Sequence, residues 1–322
     1  MIYRYTNALK RLLRQLDPIC DKYKTLKLFF LIDAAYCYVR HGSSPRDYIN
    51  YQFYKLKNNE KKKFITMRGT KKIEKIFNDP KNAECFNNKF KFNENFKKFV
   101  KRKWIYAPVK TDKEIIQFIN STDKVIVKPI DLSSGRGVYK LDVNKIKDVE
   151  KFCREVKESK SLIEEFILQH EEINKLNITS VNTIRIYTII DNLGKCNIIY
   201  AALRVGGGNA SVDNFHNGGV GYVLDIKTGV VKKQGINIDG EEYIRHPSSG
   251  ILMLGYQIPN WNELIIFVSD AAKVFPKSRY IGWDVAITRD GFEMIEGNYM
   301  ADPGFLQALD KEGKMDIFKR MA

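Results

Sequence analysis

The stretch GWDVAITRDGFEMIEGNYMADPG, residues 282–304, restricts the fold of this chain more than any other segment. Two runs of apolar and β-branched residues, Trp283–Thr288 and Phe292–Glu296, flank a turn at residues 289–291. Because strands favour such side chains and Asp-Gly favours a tight turn, this pattern predicts a β-hairpin.

The predicted hairpin carries three oxygen-bearing side chains. Asp284 lies on the first strand, while Glu296 and Asn298 lie at the end of the second. Two carboxylates and an amide oxygen are hard ligands of the kind that Mg²⁺ takes together with phosphate oxygens. Two carboxylates on neighbouring strands are often solvent-exposed side chains without a function. Here the flanking residues are apolar, and a buried acid needs a partner. The hairpin therefore predicts a metal site at Asp284, Glu296 and Asn298.

Further strands are predicted upstream from β-branched and aromatic runs bounded by turns. These runs are Val125–Pro129, Gly137–Leu141, Ser161–Leu168, Thr183–Ile190, Asn197–Val205 and Gly221–Asp225. Helices are predicted at Val143–Glu158 and Asn262–Val274, between the strands. The predicted fold class is therefore α+β, with two sheets and interleaved helices.

Residues 1–75 have a mainly helical pattern and form a predicted accessory region. The most apolar early run, Leu26–Val39, is too short to span a bilayer and carries Asp33, so it predicts a buried helix. A turn cluster at residues 42–45 follows it. A polar helix is predicted later, at Asn88–Arg102.

Residues 124–141, KVIVKPIDLSSGRGVYKL, read as a strand, a lysine, a small-residue loop and a second strand. Lys128 would project a fixed cation from the strand end. The loop consists of Ser133, Ser134, Gly135, Arg136 and Gly137. Its small residues would let backbone N–H groups approach phosphate oxygens. An ordinary hairpin with a glycine turn is the competing interpretation, since this is not a Walker loop.

Residues 161–173, SLIEEFILQHEEI, form an apolar run interrupted by Glu164 and Glu165. A carboxylate beside apolar residues suits an adenine slot, and Glu171 could reach ribose hydroxyls. The competing interpretation is a strand-end glutamate that faces water.

Arg185 and Arg204 lie on successive predicted strands and can point the same way. Such arginines bind phosphate or carboxylate groups through bidentate contacts. The alternative is a structural ion pair with Asp213 or another acid. His216 could orient a substrate, although a lone loop histidine is more often plain polar surface.

The amino-acid composition restricts the class of protein and its expected location in the cell. The hydrophobic content of 44% excludes a largely disordered chain. The net charge is +16 and lysines occur along the whole sequence, so we expect anionic small molecules or lipids rather than nucleic acid as partners. Five scattered cysteines without a CxxC pair, and no secretory signal, predict a cytoplasmic protein. A basic helix at Arg4–Arg14 predicts weak peripheral membrane contact at the inner face if the acceptor is lipid-linked.

The order of these segments resembles the ATP-grasp superfamily, in which two α+β subdomains close over ATP. The resemblance covers roughly residues 80–305 and implies an ATP-grasp fold after the helical accessory region. It implies a first subdomain at residues 76–160 and a second at 161–322. The sequence NNK at 87–89 is similar to the Asp-Lys that opens a helix in D-alanyl-D-alanine ligases, with Asn88 in place of Asp. Lys89 is thereby implied as a second phosphate lysine.

A narrower likeness lies in SVNTIRIYTI, residues 180–189, and ALRVGGGNASVDNFHNGGVGYVLD, residues 202–225. Both resemble the sugar-transfer-associated ATP-grasp family, which is related to a teichuronopeptide biosynthesis protein, and GSSPRDYINYQFYKL at 42–56 fits it too. The arrangement of arginines and Asn-x-x-x-Gly-Gly is also similar to the glutamate ligase that acts on a ribosomal protein.

The resemblance implies a role for each candidate residue. Lys89, Lys128 and the 133–137 loop would hold the phosphates of ATP. The adenine would contact Glu164, Glu165, Phe166 and Ile167, and the ribose would contact Glu171. Mg²⁺ or Mn²⁺ would bind the predicted metal site. The substrate would contact Arg185, Arg204, Asn214, His216, Gly218 and Gly219, with Arg185, Arg204 and Lys128 acting in catalysis.

The leading functional expectation is a carboxylate–amine ligase that forms an acyl phosphate and releases ADP. Its carboxylate would be an acidic sugar or glycan precursor in bacterial surface polysaccharide or capsule biosynthesis, and its second substrate an amine. The alternatives are a kinase that phosphorylates a sugar or glycan hydroxyl, and an ATP-binding module without catalysis.

Overall fold

The computed structural model describes residues 2–130, 137–207 and 218–322, with the backbone alone for residues 2–11. The chain divides into two units. The first combines Met1–Phe77 with Asp302–Ala322, and the second is Asn78–Ala301.

The first unit is helical in its described part, which confirms the predicted helical accessory region. Its helices are α1 (Ile2–Tyr23), α2 (Lys27–His41), α3 (Pro45–Asn50), α4 (Asn58–Lys61), α5 (Met67–Phe77), α12 (Pro303–Asp310) and α13 (Met315–Met321). The predicted turn at 42–45 is present. Gly42 ends α2 in the left-handed conformation, at φ 67°, and Ser44 begins α3 with a capping box to Asp47.

Helix α2 differs from its prediction as a buried helix. Phe30 and Cys37 do pack into the core of the first unit, with Leu16 and Tyr48. The opposite face is exposed, and Leu28 has 64% of its surface accessible. The prediction was wrong because both faces of this helix are apolar, and high hydrophobicity alone does not show which face has a partner.

The second unit contains two antiparallel sheets. The smaller sheet has the order β1-β4-β2-β3 and consists of β1 (Trp104–Tyr106), β2 (Lys124–Pro129), β3 (Tyr139–Asp142) and β4 (Ser161–Glu165). The larger sheet has the order β11-β10-β5-β6-β7-β8-β9. Its strands are β5 (Thr183–Ile190), β6 (Cys196–Val205), β7 (Val220–Val223), β8 (Gly235–Ile236), β9 (Glu242–Tyr243), β10 (Tyr280–Thr288) and β11 (Gly291–Asn298).

Six helices accompany the sheets in the described part of this unit. They are α6 (Ala83–Asn87), α7 (Lys89–Asn95), α8 (Asp112–Ile119), α9 (Val149–Glu158), α10 (Glu171–Asn174) and α11 (Trp261–Ala272). The smaller sheet packs Val125 and Val127 against Phe152 of α9, and the larger sheet packs Ile186 and Trp283 in a core that includes Leu264 of α11. Each sheet thus has its own apolar core.

Several boundaries differ from those predicted. The predicted helix at Val143–Glu158 begins as a 3₁₀ turn, Val143–Lys145, before α9, and the helix predicted at Asn88–Arg102 ends at Asn95. The predicted division after residue 160 separates β4 from the sheet in which it pairs with β1 and β2. Residues from Asp302 onward group with the helical unit and not with the second subdomain.

Membrane-spanning character is absent from the described helices, since none is both long and apolar enough to cross a bilayer.

Candidate functional site

A row of polar side chains crosses the larger sheet at one level. Asp284 on β10 is opposite Glu296 on β11 and opposite Arg185 on β5. Arg204 on β6 lies diagonal to this row, since its register partner on β5 is Thr183. Because side chains opposite each other share a face of a sheet, the fold brings these residues together.

Asp284 contacts both arginines of the row. It is 3% exposed, and Arg185 binds it through two nitrogens, with Nη2 2.7 Å from Oδ2. Arg204 donates from Nη1 to the same Oδ2 at 3.0 Å. The structure thus shows the ion pair that the sequence left open for these arginines, with Asp284 as the acid. Asp213, which was the acid suggested first, lies outside the described residues.

The pKa values of the two carboxyl groups of the row are shifted in opposite directions. Burial opposes ionisation of Asp284, but Arg185 and Arg204 hold its pKa below the usual range. Burial and the adjacent charge of Asp284 raise the pKa of Glu296, which shares a hydrogen bond with Asp284. Glu296 is therefore the carboxyl group of the pair that takes up a proton more readily.

These residues fit a divalent cation that also takes ligands from phosphate. Asn298 lies two residues beyond Glu296 on β11, and its Nδ2 is 3.3 Å from Glu296 Oε1. Its amide also donates to the Gly282 carbonyl at 3.2 Å. In the described ranges, no group of three or more His, Cys, Asp and Glu side chains could hold a metal by itself. Mg²⁺ commonly binds through one or two carboxylates plus substrate phosphates, so this donor set is of the right kind.

Both predicted phosphate lysines are held near the end of β2, through different contacts. Lys128 is an ion-pair partner of Glu164, with Nζ 2.5 Å from Oε2. Lys89 Nζ donates to the carbonyl of Pro129, the residue after Lys128, at 3.0 Å. Asn88 caps α7 by accepting from the Lys91 N–H at 3.1 Å, so it fills the capping role expected of the Asp that it replaces.

Glu164 belongs to an ion-pair cluster and not to an open base pocket. It is 2% exposed, and both of its oxygens accept from Arg102, at 2.8 and 3.0 Å. Asn93 also donates to it, at 3.2 Å. Despite its burial, Arg102 and Lys128 hold the pKa of Glu164 well below the usual range. These contacts favour a role for the Glu164 carboxylate in positioning Lys128, and its predicted contact with adenine stays a prediction.

Arg102 is a central residue that the sequence analysis missed. Besides Glu164 in the smaller sheet, it binds Glu293 of β11 in the larger sheet, with Nη1 2.5 Å from Oε1. It also donates to the Met294 carbonyl at 2.6 Å. One side chain thus joins the two sheets of the second unit. A signal was available, since Glu293 stands between Phe292 and Met294 in an apolar strand and needs a buried partner.

The predicted adenine segment lies where the chain leaves the smaller sheet. Glu165 ends β4 and accepts from the Lys103 N–H at 2.9 Å, while the Phe166 ring lies 4.0 Å below the Lys140 ammonium. Ile167 follows, and His170 rejoins the larger sheet by donating to the Ile287 carbonyl at 2.8 Å. Glu171 begins α10, and its exposed carboxylate is 3.4 Å from Arg289.

Two predicted loops are only partly described. Ser133, Ser134, Gly135 and Arg136, and also Asn214 and His216, lie outside the described residues. Gly137 and Gly218 are described and have positive φ, 70° and 87°. Gly219 directly precedes β7.

The ends of the 208–217 segment are in contact. A β-carbon on Gly207 would lie 1.9 Å from the carbonyl oxygen of Gly218, so only glycine fits at this approach. The preceding carbonyl, that of Gly206, accepts from Asn177 at 2.7 Å and lies 3.1 Å from Nε2 of the buried His246. Asn177 and His246 were not found from the sequence.

The two-sheet α+β architecture agrees with the ATP-grasp fold expected from the sequence. The sequence model of the sugar-transfer associated ATP-grasp family matches residues 68–321, and the chain belongs to this family. The predicted family and fold class are thereby confirmed.

Solved structures with a similar fold are distant in sequence. The ATP-grasp ligase PsnB, complexed with a phosphomimetic variant of its minimal precursor, Mg and ADP, is 14% identical with a TM-score of 0.47, covering 76% of this chain and 62% of PsnB. D-alanine–D-alanine ligase from Helicobacter pylori is 13% identical with a TM-score of 0.46, covering 74% of this chain and 61% of the ligase.

The ADP complex of purK, an N5-carboxyaminoimidazole ribonucleotide synthetase, is 10% identical with a TM-score of 0.44 and covers 68% and 46% of the two chains. The chain therefore spans about three fifths or less of the length of these structures. No curated protein sequence matches it significantly.

Proposed function

We propose that this chain is an ADP-forming ligase that uses MgATP to activate a carboxylate as an acyl phosphate, which an amine then attacks. The observation that carries the proposal is the pairing of two clusters within one unit. Lys128 lies on β2 and Lys89 contacts the carbonyl of the next residue, Pro129, while the Asp284–Glu296 pair lies on the larger sheet. Phosphoryl transfer needs this combination of fixed cations and metal-binding oxygens more than it needs a protein nucleophile.

Each cluster has a distinct role in the proposed reaction. Lys89, Lys128 and the 133–137 loop bind the phosphates, and Glu164 with Arg102 fixes the Lys128 ammonium. Asp284, Glu296 and Asn298 hold Mg²⁺, which offsets charge that develops on the transferred group. The segment Glu165–Ile167 contacts adenine, and Glu171 contacts ribose.

Arg185 and Arg204 are proposed to bind the anionic substrate at the larger sheet. Both already contact Asp284, so they would bridge the substrate and the metal ligand. Gly218 and Gly219 and the 208–217 segment, with Asn214 and His216, would complete the substrate site.

The finer substrate proposal is an acidic sugar or glycan precursor joined to an amine at the cytoplasmic side of the membrane, in bacterial surface polysaccharide biosynthesis. The family description, sugar-transfer associated, supports this choice.

We expect ADP release from MgATP only when a suitable carboxylate and amine are both present, because the acyl phosphate needs an acceptor for turnover. A screen of uronic acids, nucleotide sugars and amino acids, with mass spectrometry of the product, measures this directly. A product mass equal to both substrates less one water supports the ligase. A product that gains one phosphate on a hydroxyl, without any amine, contradicts the ligase and identifies a kinase. ATP binding without ADP release for any pair would favour the non-catalytic module.

A further inference from the structure

Helix α2 exposes a continuous apolar face on the side away from its own core contacts. We call this face the α2 stripe, and it consists of Leu28, Phe29, Ile32, Ala35, Tyr36 and Val39. Ile32 is 63% exposed and Val39 is 73% exposed. Exposed apolar surfaces of this kind mark sites of contact with a protein or a membrane.

The spacing shows that the stripe is one surface. Residues 28, 32, 35 and 39 follow each other at steps of four, three and four along the helix, so their side chains align. No charged side chain belongs to the stripe. Since α2 has 15 residues, the stripe runs along roughly 20 Å of a convex surface.

The charge around α2 is strongly positive. Residues 1–77 contain 18 Lys and Arg but 6 Asp and Glu, so they carry +12 of the net charge of +16. Lys27 begins α2, Lys22 and Lys24 lie in the last turn of α1 and in the connection between the two helices, and Arg40 lies in the last turn of α2. Basic residues therefore border the stripe at both ends.

We propose that the α2 stripe is a contact surface for an anionic lipid bilayer. A helix that lies in the membrane plane buries apolar side chains among the acyl chains and places cations at the headgroups, and this combination is present here. A second copy of the chain would bring two strongly positive surfaces together, which like-charge repulsion opposes. A nucleic acid would bind the basic side chains but would leave the apolar α2 stripe exposed to water.

Helix α2 is already folded and held in place in the protein without a membrane. Phe30 and Cys37 hold its other face in the core of the first unit, so the helix does not need to form on the lipid. Tyr36 stands at the edge of the stripe and is 46% exposed, and a tyrosine suits the boundary between acyl chains and headgroups. The inference concerns the helical unit and is independent of the proposed reaction.

The experiment is sedimentation of the full chain with phosphatidylcholine vesicles that contain or lack phosphatidylserine. We expect binding only to the anionic vesicles, and we expect the double variant Phe29→Ser, Ile32→Ser to reduce it by roughly tenfold or more. The matched control is Ile266→Ser on α11, where an isoleucine is similarly exposed, at 61%, and binding should be unchanged. Circular dichroism checks that both variants remain folded.

A charge variant tests the second half of the proposal. Lys22→Glu, Lys24→Glu and Arg40→Glu together should weaken binding strongly, and added salt should weaken wild-type binding. Equal binding of the wild type to neutral and anionic vesicles would overturn the proposal. Unchanged binding by the double variant Phe29→Ser, Ile32→Ser would overturn it as well. So would a concentration-dependent dimer in sedimentation velocity that the stripe variant abolishes, since this would assign α2 to a protein contact.

Discussion

Glu296→Gln should lower the rate of ADP formation by roughly 10²–10³-fold, the usual loss when one group that stabilises transition-state charge is removed. Glutamine cannot provide the negative oxygen that the proposed Mg²⁺ site requires. The fold should be unaffected, because Glu296 shares a hydrogen bond with Asp284 and a glutamine N–H can donate to that carboxylate in its place. Steady-state ADP release and a thermal unfolding curve measure the two effects separately.

The matched control for this variant is Glu263→Gln on the exposed side of α11, which should retain full activity. Lys128→Ala should be as inactive as Glu296→Gln, since it removes a proposed phosphate cation. Arg102 still neutralises Glu164 in that variant, so the chain should remain folded. Normal ADP release from either Glu296→Gln or Lys128→Ala would refute the site assignment.

Arg102→Met should destabilise the second unit by about 3–5 kcal/mol, as expected when one partner of a buried ion pair is removed. Glu164 and Glu293 would stay buried with fewer compensating charges, and burial already raises the pKa of Glu293. Urea unfolding followed by tryptophan fluorescence is well suited, because the chain has 3 tryptophans and Trp104, Trp261 and Trp283 all lie in this unit.

Arg154→Met on α9 is the control, since Arg154 is exposed and should change stability by no more than about 0.5 kcal/mol. Arg102→Lys should recover part of the loss, because it restores the charge but not the planar group that binds both glutamates. Equal stability of Arg102→Met and Arg154→Met would show that the cluster does not hold the sheets together.

Local patterns in the sequence predicted most of the secondary structure around the candidate site. The bounds of β5 agree with the predicted strand at Thr183–Ile190, and the hairpin of β10 and β11 has its turn at the predicted place. Both patterns depend on alternation and turn residues, which act over a few positions. Family resemblance, and not periodicity, supplied Lys89.

Contacts between distant positions could not be predicted in the same way. Arg102 and Glu293 are 191 residues apart, and nothing in the sequence near either residue indicates the other. The partner of Arg185 and Arg204 was likewise unspecified until the register of β5 and β10 placed Asp284 opposite Arg185 and within reach of Arg204. The exposed face of α2 was not predicted either. A hydrophobic run shows that a helix can be buried, but it does not show that another element covers each of its faces.

The contact between Gly207 and Gly218 makes the 208–217 segment a replaceable module. Its two ends leave and re-enter the sheet at a single point, so inserting or deleting residues between them need not move β6 or β7. The entropic cost of a longer loop grows only slowly, by roughly 0.6 kcal/mol for each doubling of length. Replacing this segment by one of another length should therefore preserve the pairing of β6 with β7, which makes it a suitable place for designed insertions.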